Sequence, residues 1–429
     1  MIRRVFLFTF LTAAFVAADT TGQAQKAAEH VTVLHAAHML DVASGKLVSP
    51  GEVLVRGSRI VAAGSSVEHP AGAEVVDLGG LTLMPGLIDA HVHLFLHPGA
   101  EDLQTVEESV PERVILAEIA AHDDLMAGFT AERDMGTEGA GSADSAVRNA
   151  IDKGLIPGPR MRVSGNAISV LGGHEDAIHY NPAAHVPGNA DYANNATELV
   201  AVIRQQLKEG ADFIKIYETG ADSERNGDFH SNYQYTQSEL EAAVTETARM
   251  GTRVGVHCEG EPGALYAAKA GVASIDHADQ LSAETMRIMK EKQIYAVPTF
   301  AIQEYFRDHA ASADGEEKEG KLLKYHAAQF KQQMAAGVPF AVGSDVGPFP
   351  HGTQAREMEM MVEFGMSSKD VLQADLLHGA RLLDWEGKIG ELKAGYFADV
   401  IAVDGDPLTN IGALKAVKFV MKDGVVYKK

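Results

Sequence analysis

The chain has a single cysteine, Cys258, in 429 residues, so no disulfide can form within it. Basic residues are scarce: 37 Lys plus Arg stand against 59 Asp plus Glu, a formal net charge of −22. A chain this acidic lacks the basic face that nucleic acid or an anionic lipid surface would need. Long hydrophobic runs are missing beyond the N-terminus, and none is long enough to span a bilayer, so the mature chain reads as soluble. No short repeat or low-complexity segment breaks the pattern. Hydrophobic residues still make up 46%, enough for a large core.

The N-terminus reads as an export signal over residues 1–24. Arg3 and Arg4 precede the apolar stretch "VFLFTFLTAAFVAA", and small residues at Val16/Ala18 and Gly22/Ala24 offer cleavage after Ala18 or Ala24. "RRVFL" also resembles a twin-arginine signal, with Ile2 in place of the usual Ser or Thr. The competing reading is a buried N-terminal helix. The export reading makes the mature protein periplasmic or secreted.

The two ends of the chain look alike and differ from the middle. "GEVLVRGSRIVAAG" and "AEVVDLGGLTL" near the start, and "FADVIAVDGDPL" and "AVKFVMKDGVVYKK" at the end, are short alternating strands with tight turns. Asp423-Gly424 is a hairpin signal. One small β-sandwich module, 28–84 with 384–429, is expected from both termini. Between them, residues 85–383 supply eight short apolar strands: "GLIDAHVHL", "FTAERDMG", "RMRVSGNAIS", "FIKIYE", "RVGVHCEG", "ASIDHAD", "IYAVPTF" and "PFAVGSDVG". Amphipathic helices such as "TQSELEAAVTETARMG" separate them, the latter opened by a Thr236/Glu239 capping box. Eight such units predict an α/β fold, a closed (β/α)8 TIM barrel. "SADGEEKEGK" at 312–321 reads as a charged surface loop or lid tip.

Active sites of such barrels lie at the C-terminal ends of the strands. There the sequence places His91 and His93, then Lys215, His257, His277 and Asp345. Each has a bland reading alone: a hydrogen-bonded core histidine, a snorkelling lysine, a capping aspartate. Together they would bury six polar groups at one end of one barrel, at several kcal/mol for each one unpaired. Metal coordination removes that cost. His91 and His93, two apart on a strand, face the same way and present two nitrogens to one ion. Imidazole with carboxylate suits zinc and similar divalent ions. Four His and one Asp exceed the needs of one tetrahedral ion with an open water position, so two ions are expected. A neutral lysine can react with carbon dioxide, and the resulting carbamate has two oxygens to bridge them; Lys215 is placed for this. Cys258, pointing away from the site, reads as core packing.

"PGLIDAHVHL", "FIKIYE", "VGVHCEG", "SIDHAD" and "GSDVG", in that order, resemble the amidohydrolase superfamily, and "GKIGELKAGYFADVIAVDGDPL" looks like its C-terminal β module. The lysine-bearing set resembles the binuclear group that includes Xaa-Pro and Xaa-Arg dipeptidases and ochratoxin-degrading amidohydrolases. The resemblance implies that His91, His93 and Asp345 bind one metal and His257 and His277 the other, with carbamylated Lys215 and a hydroxide between them. It implies hydroxide attack on an amide carbonyl, with Asp345 passing the proton to the leaving amine. It also implies that Tyr217 contacts a substrate carboxylate and that His174, in "LGGHED", approaches the scissile carbonyl. Barrel packing and a surface loop are their bland readings. Arg225 and His230 are further candidates for a carboxylate; His97, His179 and His185 read as ordinary loop residues. The expected substrate is a small-molecule amide with a free carboxylate, a dipeptide or an N-acyl amino acid such as ochratoxin A. Lactones, cyclic amides or ring deamination on the same fold are the alternatives, with a non-catalytic protein as the alternative of another class. A homo-oligomer is expected from the resemblance alone.

Overall fold

The computed structural model describes residues 30–429 apart from 179, 182, 185, 226 and 227. The expected export signal, His179 and His185 lie outside these residues. No helix among the described residues is long and apolar enough to cross a membrane.

Seven parallel strands succeed one another around a ring: β1 (Leu87–Val92), β2 (Phe129–Asp134), β3 (Arg160–Val163, resuming at Ile168–Ser169), β4 (Ile214–Tyr217), β5 (Val254–Cys258), β6 (Ser274–His277) and β7 (Tyr295–Val297). The gap in β3 holds Gly165 at φ +73°, so its first half pairs with β2 and its second with β4. The extended segment 340–346, β8, closes the ring. It bridges Phe340 to Ala296 of β7 and Val346 to Val92 of β1. Asp345 N–H donates to His91 O and His93 N–H to Val346 O, both at 2.8 Å. The expected (β/α)8 barrel is therefore present.

Strand alternation sorts the residues. Ile214, Ile216, Val254, Val256 and Cys258 face outward into one core with Leu199, Ile203, Leu240 and Ala243 of the surrounding helices. Lys215, Tyr217 and His257 face inward, toward the cavity at the strands' C-terminal ends. The helix Gln237–Arg249 opens as its capping box predicts, with Glu239 accepting the Thr236 backbone N–H at 2.8 Å. One expectation fails. "SADGEEKEGK" is no loop: Ser312 caps helix Ala313–Ala336 by accepting from Gly315 N–H at 3.1 Å, and Glu317 pairs with Lys321 one turn on.

Gly343 on β8 shows how tightly the ring closes. A Cβ there would stand 2.5 Å from Val297 Cγ1, 2.8 Å from His91 Cβ and 2.9 Å from the His91 nitrogen. Gly343→Ala is expected to cost about 1–3 kcal/mol by overpacking and to displace His91. A lower melting temperature together with reduced metal content would show it; an unchanged metal content would contradict the close approach.

The two termini build a second layer pair. A four-stranded sheet (Arg59–Gly64, Gly51–Arg56, Val31–Ala36, Glu74–Asp77) faces a six-stranded one. In the latter, Val400–Val403 pairs antiparallel with Thr82–Pro85, joining the ends of the chain. Leu34, Val53, Leu83, Val400 and Phe419 pack between the sheets. Asp423 and Gly424 both take positive φ, 51° and 76°, the two-residue turn their pairing predicts. Arg160, at the foot of β3, reaches Asp399 at 3.2 Å and Asp423 at 2.6 Å, pinning this module to the barrel.

Candidate metal centre and active-site cavity

A cavity of about 250 Å³ opens at the C-terminal ends of the strands. His91, His93, Lys215, Tyr217, His257, His277, Asp345 and His174 all line it, so one place gathers residues drawn from 255 positions of chain. The Nε2 atoms of His91 and His93 lie 3.3 Å apart. Asp345 Oδ1 stands 3.5 Å from the first and 3.3 Å from the second. Three donors bound to one tetrahedral ion at about 2.0–2.1 Å would be separated by roughly 3.3–3.4 Å. The triangle already has the size a metal requires.

The tautomers point the same way. His93 Nδ1 contacts Gly136 O at 2.9 Å, and a carbonyl only accepts, so Nδ1 carries the proton. Thr299 Oγ1 donates to Pro298 O at 2.7 Å, which leaves it to accept from His277 Nδ1 at 2.8 Å. Both rings therefore carry a proton on Nδ1 and turn Nε2 toward the cavity. Among the described residues, His257 Nε2 is buried without a hydrogen-bond partner, and so is Lys215 Nζ. His257, His277 and Glu259 bring ligand atoms within 4.8 Å of one another, as do His91, His277 and Asp345. These orphaned donors fit a site built for divalent cations.

Electrostatics reinforce the geometry. Burial, with the Lys215 charge nearby, holds His91 well below the ordinary imidazole range, and burial does the same to His257 and His277. They stay neutral, as ligands must. His93 differs: burial opposes its charge, but Glu138 and Asp345 outweigh burial and push it up to about 10. Such a nitrogen has strong affinity for a positive charge, and a metal competes for it with the proton. Burial pushes Lys215 down to about 8 and raises the Asp345 carboxyl. The backbone is strained at the same rim. His277 (φ 71°), Thr299 (57°), Asp345 (61°) and Glu138 (46°) all occupy the left-handed region, at about 1–3 kcal/mol each, a cost that recurs where side chains must be aimed.

His174 stacks on His257 with ring centroids 4.3 Å apart and meets Tyr217 edge-on at 4.7 Å. Burial lowers it to about 4, so it is neutral. His230 is exposed on Asp228–His230 and does not line the cavity; His97 pairs with Glu108 at 2.7 Å, away from it. Cys258 is buried in the core between strands and helices.

Several residues of the site were not singled out by the sequence. Glu138 accepts the Tyr217 hydroxyl at 2.7 Å and lies 3.2 Å from His93 Nδ1. Although burial opposes its charge, those two partners hold it below the usual carboxylate value. Lys318, from the helix mistaken for a loop, lines the cavity beside Glu319. Asp276 and Arg133 lie beneath His91. Only strand alternation could have spoken for Asp276, and alternation puts it on the face opposite His277; the left-handed backbone of His277 breaks that rule.

A barrel with convergent imidazoles, a buried lysine and an aspartate at its C-terminal face defines a metal-site hydrolase. The comparisons make this specific: residues 82–428 match the amidohydrolase family, and the chain belongs to it. It acts as a hydrolase on amide bonds. It is 31% identical over 377 residues to an ochratoxinase of Aspergillus niger, covering 81% of this chain and 75% of that one. Among solved structures it superposes on a Xaa-Pro dipeptidase with methionine bound in the active site, with TM-score 0.83 and 31% identity over 93% of this chain and all of that one. A prolidase complexed with N-methylphosphonate-L-proline gives TM-score 0.84 at 26% identity, again over 93% of this chain and all of that one.

Proposed function

We propose that this protein hydrolyses the amide bond of dipeptides or N-acyl amino acids that carry a free carboxylate, in the manner of a carboxypeptidase, with ochratoxin A among the compounds of that type. The observation that carries the reading is Lys215: a fully buried amine with no hydrogen-bond partner among the described residues, pushed down to about 8 by burial, between four histidines and Asp345. Near neutral pH it has a neutral fraction whose lone pair can add to carbon dioxide. The neutral amine forms a new C–N bond to carbon dioxide and loses one proton, giving a carbamate anion with two donor oxygens; starting from the ammonium form, two protons leave in all. His91, His93 and Asp345 would then hold one divalent ion, His257 and His277 a second, with Lys215 between them and zinc as the expected metal. When bound, such ions supply Lewis-acid polarisation of the amide carbonyl and lower the pKa of a coordinated water.

The chain's own groups do the rest. Asp345, whose buried carboxyl has a raised proton affinity, holds at its carboxylate the proton that must reach the leaving amine. His174, neutral and stacked over His257, reaches the carbonyl side of the cavity. A substrate carboxylate needs a donor. Tyr217 currently donates to Glu138, so it must exchange that partner for the substrate; Lys318 is a cation in the same wall. Residues 1–24 are proposed to direct export to the periplasm or the exterior.

The test is a panel of dipeptides, N-acyl amino acids and ochratoxin A, incubated with zinc-supplemented protein and read by mass spectrometry for released amino acids. Release of one class of C-terminal residue supports the reading. If a protein carrying two ions per chain opens lactones or cyclic amides and releases no amino acid, the substrate assignment is wrong.

A further inference from the structure

His91 Nδ1 is buried and has no hydrogen-bond partner among the described residues. The Asp276 Oδ2 atom lies 3.2 Å from it, close but not aligned with the ring N–H. Asp276 is fully buried. It is held by Arg133, whose Nη2 donates to Oδ1 at 3.2 Å and to Oδ2 at 3.1 Å. Arg133 is anchored in turn: its Nε donates to Ala90 O at 2.6 Å and its Nη1 to Ser274 Oγ at 3.0 Å. Three barrel strands thus aim one carboxylate at one imidazole. His277 differs in that its Nδ1 rests on the neutral Thr299 hydroxyl at 2.8 Å, not on a carboxylate.

We propose that Asp276, clamped by Arg133, is the positioning residue for His91, and that it sets the affinity of the ion position formed by His91, His93 and Asp345. It accepts the Nδ1 proton, locks the tautomer that bares Nε2, and makes the imidazole a better donor. Arg133 balances the charge of the buried carboxylate and, through two hydrogen bonds, holds it in place beside the ring. The proposal rests on the two-ion reading above, and it predicts that the two ions respond differently to one substitution.

The experiment uses the full protein, stripped of metal and reloaded with zinc against a chromogenic chelator. Asp276→Asn is expected to weaken one ion 10–100-fold and leave the other within about twofold of wild type. Loss of Asp276 leaves Arg133 buried without its counter-charge. If that variant does not fold, the neutral double variant Arg133→Met with Asp276→Asn carries the same expectation. Wild-type affinity at both positions, or equal weakening of both, overturns the proposal. A wild-type protein that binds a single zinc ion would instead count against the two-ion reading, and the Asp276→Asn effect would still be read on that ion.

Discussion

Lys215→Met is expected to abolish hydrolysis and yet leave the metal-free protein more stable than the wild type. Methionine has nearly the same length and fills the same space on β4 without a charge. The wild-type amine is fully buried with no hydrogen-bond partner among the described residues, and an unsatisfied buried group costs about 1–3 kcal/mol. The sign with pH follows from the shift. Lys215 titrates near 8 in the fold and near 10.5 ordinarily, so the unfolded chain binds the extra proton between these values. The penalty is full below pH 8 and fades as pH rises toward 10.5, and the advantage of methionine should fade with it. In zinc the order reverses, because the variant forgoes stabilisation by the bound metal. Activity should fall on the order of 10³-fold or more, since the metal site supplies several kcal/mol of transition-state stabilisation. Melting curves with chelator and with zinc, at pH 7 and pH 10, read all of this. A metal-free Lys215→Met protein that melts well below wild type would make Lys215 a structural residue instead.

Arg113→Met should unfold the rim of the site without touching a metal ligand. Arg113 is 1% exposed, on the helix Val110–Ala127 behind β1 and β2. Backbone carbonyls surround its guanidinium. Nε and Nη2 donate to Phe95 O at 3.2 and 2.8 Å, Nη2 also to Thr137 O at 3.1 Å, and Nη1 to Glu138 O and to Thr105 Oγ1. These bonds hold the loop after β2, where Glu138 keeps its left-handed backbone. Methionine would leave Phe95 O without a donor in the interior and strip Thr137 O and Glu138 O of one of their two bonds, the others coming from Ala140 N–H and Thr105 Oγ1, a loss of about 1–3 kcal/mol. Lysine should not rescue it, because a point charge cannot fork across three acceptors. Melting temperature and zinc affinity should both fall, the latter because Glu138 no longer backs His93. Wild-type stability in Arg113→Met would show that water replaces the guanidinium.

Much of the site was legible because metal chemistry restricts residue type. His91 and His93 share a face by the period of two, and their Nε2 atoms meet at 3.3 Å as that period requires. Lys215 and Tyr217 follow the same rule on β4. The capping box at Thr236 and the Asp423-Gly424 turn were legible for a different reason: each is a local interaction completed within a few residues. The segment 312–321 was misread because a charged helical turn and a charged loop have the same composition. What separated them was the rest of the helix, which buries Leu322, Leu323, His326, Ala327, Phe330 and Gln333.

The sequence by itself determined which histidines, lysine and aspartate end the strands, the strand that carries each, the eightfold α/β pattern and the strand character of the two ends, because these rest on periodicity and residue type. Only the tertiary structure decided that Glu138, Asp276, Arg133 and Lys318 belong to the same site. Their roles come from partners that lie far away along the chain: Glu138 serves Tyr217, 79 residues on, and Arg133 clamps Asp276, 143 residues on. No local pattern encodes such a pairing. It exists only once the ring has closed and strained turns at the strand ends have aimed side chains that strand alternation would have sent elsewhere.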